Sequence, residues 1–371
     1  MAKLISVKTA LSIIHENSAA GSTLTLPLKK TVGHVLAQDI CAHVSLPPND
    51  ASAMDGYAVA LTNDHAEGSV FTLIGEAPAG SPFDGTVGTD ETVRIFTGSV
   101  VPKGANHVIM QENVDAKDGL VTLTKPISKA RHIRKAGIDF KQGDQIISEG
   151  IRIDAFANSL LAAANHANVK VYKRPKVALL ANGDELVEPG SPMRSDQIIS
   201  SNPYGISALI KSWGGDIINT PISKDDPKVI RKQILACKDA DIIVPIGGAS
   251  VGDYDYMRGV FDELGYQELF AKIAVKPGKP TWFGTLGEQR ILGLPGNPAS
   301  ALVCAHIFLK PLVERLGGLH TTSQKLVKAH TKIALNANDW RDEYVRARAE
   351  IDDQGALHVT PYPKQDSSLI T

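Results

Sequence analysis

The chain has 371 residues, a length that suggests roughly two to three domains. Its 39 Lys and Arg residues nearly balance 40 Asp and Glu residues, and the formal net charge of -1 excludes a global basic field that would attract nucleic acid or an acidic membrane. Three widely spaced cysteines without a CxxC pair indicate neither a disulfide framework nor a zinc cluster, and no apolar run reaches the ~20 residues of a membrane span. We therefore expect a cytoplasmic protein.

The N-terminal stretch predicts an amphipathic helix rather than a signal peptide, because charges interrupt it and apolar residues recur at helical spacing: Val7, Ala10, Leu11 and Ile14. Short β segments follow at 24–28 and 35–40. The Pro47-Pro48 turn marks a domain boundary.

Residues 51 to 130 predict an inserted β domain, since short strand patterns recur without a long helix, at 70–74, 92–96, 107–111 and 120–123. Within this stretch, Asp55 and Thr97 each stand beside a glycine. Both pairs are also typical of ordinary hairpin turns, so a functional role and a turn role stay open for these two residues.

Residues 131 to 172 combine a basic cluster, a helix and a strand. The cluster includes Arg134 and precedes Asp139, and a solvated charged face is an alternative to a binding role. A helix is expected at 155–166 and a strand at 169–172.

From Lys176 onward, strands and helices alternate, which predicts a parallel sheet covered on both faces. The predicted strands are 177–181, 216–220 and 242–246, and the predicted helices are 202–213, 227–237, 257–264 and 301–316. In such sheets, ligands bind at the carboxyl ends of the strands.

The strand 242–246 is followed by a glycine-rich turn, 247–252, and then by a helix. Such a turn presents backbone N–H groups and the positive end of a helix dipole to an anion, so we expect a phosphate there. Asp253 and Asp255 would repel a phosphate unless a divalent cation lay between them, which suggests Mg²⁺. The alternative is that Asp253 only caps the helix.

Carboxylates follow all three predicted strands, with Glu185 after the first, Asp225 after the second and Asp255 after the third. If the strands are neighbours, these side chains face one cleft and can hold the cation. Asp225 also stands at an ordinary helix start, so a purely structural role remains open for it.

A second anion site is suggested by Lys272, Lys276 and Lys279, together with the turn at 293–300 that ends in Ser300. A substrate with a phosphate end and a second, smaller anion would suit two such sites. The chain then returns to short strand patterns, at 327–335, 342–351 and 356–360, which predict a small C-terminal β domain.

Six stretches in this order resemble the molybdopterin molybdenumtransferases, the MoeA and gephyrin E-domain family: 52–59, 97–104, 183–186, 247–256, 276–280 and 294–300. The resemblance implies a multidomain α/β plus β fold with a MogA-like parallel-sheet domain. It implies an elongated dimerisation domain at 1–45 and 131–172, an inserted β domain at 46–130, a molybdopterin-binding α/β domain at 173–316 and a C-terminal β domain at 317–371.

The resemblance also implies a reaction, in which adenylyl-molybdopterin and molybdate yield molybdenum cofactor and AMP. It implies Mg²⁺ as cofactor, a homodimer and a molybdopterin adenylyltransferase as partner protein. The implied catalytic residues are Asp55, Thr97, Glu185, Asp225 and Asp255, of which the last three bind the metal. The implied cofactor-binding residues are Gly247, Gly248, Ser250, Gly252, Lys272, Lys276, Lys279, Pro295, Asn297, Pro298, Ser300, Arg134 and Asp139. Asp55 and Thr97 are implied to reach the cleft from the other subunit.

The sequence departs from the family pattern in places. Asn182 stands where Thr is usual and Ala249 where Val is common. We expect the C-terminal sheet to lack closing strands, which leaves open the roles of Arg346, Ser367 and Ser368. Two other functions compete with the transferase: a molybdopterin adenylyltransferase and a non-catalytic scaffold.

Overall fold

The chain folds into two units. The computed structural model describes residues 4–247, 256–320 and 326–370. The described residues of 4–38, 149–154 and 169–370 form what we call the α/β unit, and residues 39–148 and 155–168 form the β unit. The four-domain division expected from the resemblance stays a prediction.

A six-stranded sheet is the centre of the α/β unit. Its strands are β1 (Lys176–Ala181), β2 (Asp216–Ile218), β3 (Ile242–Ile246), β4 (Gln267–Phe270), β5 (Trp282–Leu286) and β6 (Gln289–Gly293). Their spatial order is β2-β1-β3-β6-β5-β4. The first four in this order run parallel, as predicted, whereas β5 and β4 are antiparallel to their neighbours. The antiparallel edge was not predicted.

Helices cover both faces of this sheet, because alternate residues of a strand point to opposite sides. Val177 and Leu179 of β1 belong to one buried cluster, and Ala178 and Leu180 belong to the other. The first cluster includes residues of Val7–Glu16, Asn202–Ser212, Pro298–Cys304, the π-helical turn Ala305–Leu309 and Lys310–Leu316. The second includes residues of Pro227–Ala236 and Tyr256–Glu263. This double burial explains why the predicted strands read as continuous apolar runs.

Shorter elements complete the α/β unit. They are the paired strands Thr23–Pro27 and Asn168–Tyr172, the 3-10 helix Leu28–Lys30, the paired strands Leu186–Val187 and Ile198–Ile199, the paired strands Val275–Lys276 and Asp342–Glu343, and a sheet of His330–Thr331, Leu357–Pro361 and Ala347–Ile351.

The β unit also contains a six-stranded sheet, in the spatial order His107–Met110, Gly56–Val59, Glu91–Ile95, Val70–Ala77, Leu120–Leu123 and Val114–Lys117. Buried apolar clusters lie on its two sides. The other elements are the pair Ile40–Cys41 and Gln145–Ile147, the pair Ala51–Ser52 and Ile133–Arg134, the 3-10 helix Gln111–Asn113 and the helix Ala155–Ala163.

Three predicted strands were wrong. Residues 342–351 form two separate strands, Asp342–Glu343 and Ala347–Ile351, because the first pairs with Val275–Lys276 and the second with Leu357–Pro361. Residues 35–40 form isolated bridges at Val35 and Leu36, because these residues pair with two different segments, and only then the strand Ile40–Cys41. Of residues 327–335, only His330–Thr331 forms a strand, on one edge of Leu357–Pro361. No helix within the described ranges combines the length and the apolar character that crossing a membrane requires.

Candidate functional site

A cleft of about 780 Å³, here called the strand-end cleft, lies where the parallel strands β1 and β3 end. Its described lining residues are Ala181, Asn182, Glu185, Leu186, 198–203, Ile246, Gly247, Pro280, 295–298 and Ser368. This volume falls in the range of cavities that enclose a small organic ligand.

Glu185 and Asp225 are brought to the same end of the sheet. β1 continues into the Asn182 loop, which forms a bridge to Ser223 in the segment after β2. Asn182 Nδ2 donates a hydrogen bond to Asp225 Oδ1 at 2.7 Å. The Glu185 carboxylate folds back over Gly183, where an added Cβ would lie 2.5 Å from Oε2. Both acidic side chains are thus positioned by the loop that follows β1.

The polar groups beside these carboxylates suit a divalent cation. Asn182 Oδ1 and Ser223 Oγ are buried, and neither atom forms a hydrogen bond within the described part of the chain. Amide, hydroxyl and carboxylate oxygens are the ligands that Mg²⁺ prefers. The residues present therefore fit Mg²⁺, although the described residues alone contain no group of three His, Cys, Asp or Glu side chains that could hold a metal ion. The predicted third ligand, Asp255, lies outside the described residues.

The glycine turn after β3 is described only at its first residue. Gly247 has a φ of 92°, which favours glycine, and its N–H donates to the carbonyl of Leu294 at 3.0 Å. An added Cβ at Gly296 would lie 3.4 Å from the Cα of Gly247, so two glycine turns approach each other at the cleft. The predicted phosphate-binding residues Gly248, Ser250 and Gly252 lie outside the described residues.

A second cavity of about 340 Å³, here called the lysine pocket, adjoins the strand-end cleft. Its described lining residues are 275–280, Pro295, Asn297, Ser300, Arg341, Glu343, Tyr344, Gln365 and Ser367. Pro280, Pro295 and Asn297 line both cavities. Lys272, predicted with the other lysines, is not among the residues that line either cavity, and its role stays a prediction.

The turn that carries Lys276 and Lys279 is fixed on the helix Pro298–Cys304. Gly278 has a φ of 111°, and an added Cβ there would overlap with the Sγ atom of Cys304. Thr281 Oγ1 donates to the carbonyl of Gly278 at 2.8 Å. Burial raises the pKa of the Cys304 thiol to about 12, so this thiol stays neutral and fills space under the turn.

Acidic residues accompany two cations of the lysine pocket. Lys276 Nζ lies 2.9 Å from Glu343 Oε1, and Arg341 Nη2 lies 2.6 Å from Asp339 Oδ2. The side-chain hydrogen bond from Arg341 lowers the pKa of Asp339. Glu343 and Arg341 were not predicted as lining residues, since their position depends on the pairing of Val275–Lys276 with Asp342–Glu343, which no local pattern indicates.

The C-terminal segment lines both cavities. Gln365 and Ser367 line the lysine pocket, and Ser368 lines the strand-end cleft. The backbone carbonyl of Ser367 accepts from the N–H of Ala299 at 3.0 Å, and its hydroxyl accepts from Asn297 Nδ2 at 2.7 Å. The two serines whose roles the sequence left open therefore adjoin the candidate site.

The remaining predicted site residues belong to the β unit. The Asp55 carboxylate accepts from the Thr97 N–H at 2.7 Å and from the Thr97 hydroxyl at 2.8 Å, and these two bonds lower the pKa of Asp55. Arg134 lies in the strand that pairs with Ala51–Ser52, and the Asp139 N–H donates to the carbonyl of Leu46. Thr97 and Gly98 form a turn, as one reading of the sequence predicted: the Ser99 N–H donates to the carbonyl of Phe96 at 3.0 Å, and Gly98 has a φ of 84°. The functional roles of these residues stay predictions.

Comparison with known proteins supports one family along most of the chain. Residues 5–165 match the MoeA N-terminal region (domain I and II), and residues 178–315 match the probable molybdopterin binding domain. The molybdopterin molybdenumtransferase of Haemophilus influenzae is 35% identical over 349 residues, which cover 93% of this chain and 86% of that protein. The enzyme of the same name from Staphylococcus aureus is 32% identical over 363 residues, covering 96% and 86%.

Solved structures agree with this result. The molybdopterin biosynthesis moeA protein from Pyrococcus horikoshii OT3 superposes with a TM-score of 0.84 at 26% identity, covering 99% of this chain and 92% of that one. A second structure of a moeA protein from this species gives a TM-score of 0.80 at 28% identity, covering 98% and 90%. The predicted family, fold class and enzyme class are confirmed: the chain belongs to the molybdopterin molybdenumtransferase family, whose members are transferases of molybdenum cofactor biosynthesis.

Proposed function

We propose that this chain inserts molybdenum into molybdopterin, using adenylyl-molybdopterin and molybdate as substrates and releasing AMP. Family membership supports the general reaction, and the shared wall of the two cavities carries the finer proposal. The two cavities share the lining residues Pro280, Pro295 and Asn297, so a ligand in the strand-end cleft lies next to an anion in the lysine pocket. Transfer of a metal between two bound substrates requires this kind of adjacency.

In this proposal the strand-end cleft binds the adenylylated pterin. Glu185, Asp225 and Asp255 hold Mg²⁺, with Asn182 orienting Asp225 through its 2.7 Å hydrogen bond. Mg²⁺ bound there supplies positive charge beside the phosphoanhydride that is cleaved. The wall residues Pro295 and Pro298 restrict how the substrate lies in the cleft.

Molybdate, a tetrahedral dianion, occupies the lysine pocket in this proposal. Lys276 and Lys279 supply point charges, and the Ser300 hydroxyl, in a side chain that is 4% exposed, supplies a hydrogen-bond donor. The volume of the lysine pocket, about 340 Å³ against about 780 Å³ for the strand-end cleft, favours a small anion over a nucleotide. Tungstate has the same charge and shape and is expected to enter the same pocket.

The test is molybdate-stimulated release of AMP. Purified protein is incubated with adenylyl-molybdopterin and Mg²⁺, with and without molybdate, and AMP is quantified by chromatography. We expect release to depend on molybdate, and we expect Glu185→Gln and Lys279→Gln to lower its rate by about 100-fold, in the range found when a positioned charged group is removed from an active site. Lys332→Gln changes an exposed lysine that forms an ion pair with Glu350, and it should leave the rate unchanged.

Other outcomes would identify the competing functions. An adenylyltransferase would form adenylyl-molybdopterin from ATP and molybdopterin without needing molybdate. A scaffold would release no AMP under either condition. If Glu185→Gln and Lys279→Gln both turned over at the wild-type rate, the proposed roles of the two cavities would be wrong.

We also propose a homodimer in which Asp55 and Thr97 of one copy act with the cavities of the other, and a molybdopterin adenylyltransferase that supplies the adenylylated substrate. Both proposals rest on the resemblance to the family. The Asp55 carboxylate, whose two hydrogen bonds from Thr97 favour its charged form, is suited to orient a cation or a donor group.

A further inference from the structure

We propose that Glu343 limits the affinity of the lysine pocket for oxyanions, so that removing its charge tightens anion binding. This inference rests on the proposed function, which assigns molybdate to the same pocket. Glu343 is thus a specificity-determining residue: its carboxylate repels the bound anion and does not contact the reacting atoms.

The position of Glu343 follows from strand register. Val275–Lys276 pairs in parallel with Asp342–Glu343, and Lys276 stands opposite Glu343. The N–H of Tyr344 donates to the carbonyl of Lys276 at 2.8 Å, which continues the pairing beyond the strand. Side chains of directly opposed residues leave the same face of a sheet. The Lys276 ammonium and the Glu343 carboxylate therefore meet at 2.9 Å as a result of backbone pairing.

Both members of this ion pair line the lysine pocket. The Lys276 side chain is 48% exposed and the Glu343 side chain is 25% exposed, so the carboxylate is the more enclosed of the two. An oxyanion that reaches Lys276 must also approach Glu343. The carboxylate then has two opposing effects, because it repels the anion and it holds Lys276 in place.

The sizes of the two effects decide whether Glu343 strengthens or weakens anion binding. At low ionic strength, where salt screens little, a unit charge and a dianion about 6 Å apart repel each other by an energy equal to a roughly tenfold change in affinity, even at the dielectric constant of bulk water. An exposed ion pair that orders a lysine contributes at most about fivefold. Repulsion therefore exceeds the benefit of holding Lys276, and Glu343 weakens anion binding overall.

Weak binding by the pocket alone has a consequence for the reaction. An anion that the lysines hold loosely can leave again, unless a ligand in the adjoining strand-end cleft also contacts it. The dithiolene sulfurs of the proposed pterin substrate would provide that contact. Glu343 thus favours retention of the oxyanion when both cavities are filled.

The test is calorimetric titration of the purified 371-residue chain with molybdate, tungstate and sulfate at constant, low ionic strength. We expect Glu343→Gln to bind each dianion about tenfold more tightly than the wild type, a change of ~1.4 kcal/mol. The matched control is Glu350→Gln, since Glu350 also forms an ion pair with a lysine, Lys332, at 2.6 Å, and neither of these residues lines the lysine pocket. This control should bind within about twofold of the wild type.

Salt provides a second readout. Because the effect is electrostatic, the difference in anion affinity between Glu343→Gln and the wild type should decrease as ionic strength rises. Glu343→Ala, which removes the charge by a different side chain, should shift affinity in the same direction. Circular dichroism and thermal unfolding would establish that each variant is folded.

The outcomes separate this inference from the proposed function. If the wild type binds molybdate but Glu343→Gln and Glu343→Ala bind it equally or more weakly, Glu343 positions Lys276 and the inference is wrong, while the pocket assignment stands. If neither the wild type nor either variant binds any of the three dianions, the pocket assignment and the inference both fail.

Discussion

His107 is a residue of the β unit whose protonation is linked to folding. The side chain is 4% exposed, and its Nδ1 accepts a hydrogen bond from the N–H of Arg131 at 2.8 Å. Burial, with smaller contributions from the charges of His132 and Arg131, lowers the pKa of His107 from 6.5 to about 4. A proton on the ring would be buried beside other positive groups and, placed on Nδ1, would abolish the hydrogen bond.

The lowered pKa predicts a pH-dependent stability. The unfolded chain binds a proton at His107 below pH 6.5, whereas the folded chain does so only below about pH 4. The contribution of His107 to the free energy of unfolding is therefore fully present above pH 6.5, and it is lost as the pH falls from 6.5 towards 4. Between pH 7 and pH 5 we expect this residue to cost the β unit about 2 kcal/mol of unfolding free energy. Urea denaturation at the two pH values measures the loss.

A neutral replacement supplies the control for this effect. Gln in His107→Gln cannot gain a proton, so the unfolding free energy of this variant should fall less between pH 7 and pH 5 than that of the wild type. An equal pH dependence in the wild type and His107→Gln would contradict the assignment.

At the scale of elements, Arg346 holds the C-terminal segment that lines both cavities. Its guanidinium donates to the carbonyls of Lys364 at 3.0 Å and Asp366 at 3.1 Å, and also to the carbonyl of Leu369. Its backbone exchanges two further bonds with the side chain of Gln365, at 3.0 and 2.8 Å. One arginine therefore fixes a segment that has little secondary structure of its own.

Arg346→Lys should loosen this segment, because an ammonium cannot reproduce a planar donor that reaches several carbonyls at once. Losing one or two charge-assisted hydrogen bonds is expected to lower the free energy of local opening by about 2 kcal/mol. Hydrogen exchange should then rise by roughly 30-fold in Lys364 to Leu369 and at the amide of Ala299. The KM for molybdate should rise with it, since Ser367 lines the lysine pocket.

The matched variant for this test is Arg348→Lys. Arg348 lies two positions further along the same stretch, is 73% exposed and forms an ion pair with Glu350 at 3.0 Å. Its replacement should leave both hydrogen exchange and the KM unchanged. Equal exchange in the two variants would mean that Arg346 does not hold the segment.

Elements were predictable from sequence where burial alone determines them. β1 and β3 are buried on both faces, so each reads as an apolar run, and the helices on the sheet show apolar residues at helical spacing. Residues 35–40 and 327–335 have strand-like composition, but their structure depends on which segment they pair with, and composition does not encode the partner.

The same distinction applies to the candidate site. Glu185 and Asp225 were expected at one sheet edge, and they are found there because β1 lies between β2 and β3 in a parallel sheet. Glu343 was not anticipated, since it enters the lysine pocket only through pairing between segments far apart in the chain. The role of Asn182 as a donor to Asp225 likewise requires the bridge between their loops.

At the scale of the whole molecule, the proposed homodimer assigns the catalytic groups to two copies of the chain. Lys279 belongs to the α/β unit and Asp55 to the β unit. If the two groups of one active site come from different copies, then Asp55→Ala and Lys279→Ala each inactivate both sites of their own homodimer. A mixed dimer differs, because one of its two sites receives neither substitution.

Mixing the two variants therefore tests by activity whether one active site takes residues from two copies of the chain. The two variants are unfolded together, refolded at equal concentrations and assayed for molybdate-dependent AMP release. Random pairing makes half of the dimers mixed, and one of the two sites in each is intact, so about one quarter of the wild-type rate should return. If both groups instead act within one copy, every copy in every dimer carries a substitution and no activity returns. Light scattering of the refolded sample should give twice the 39.6 kDa mass of the chain, and a monomeric mass would exclude the shared site.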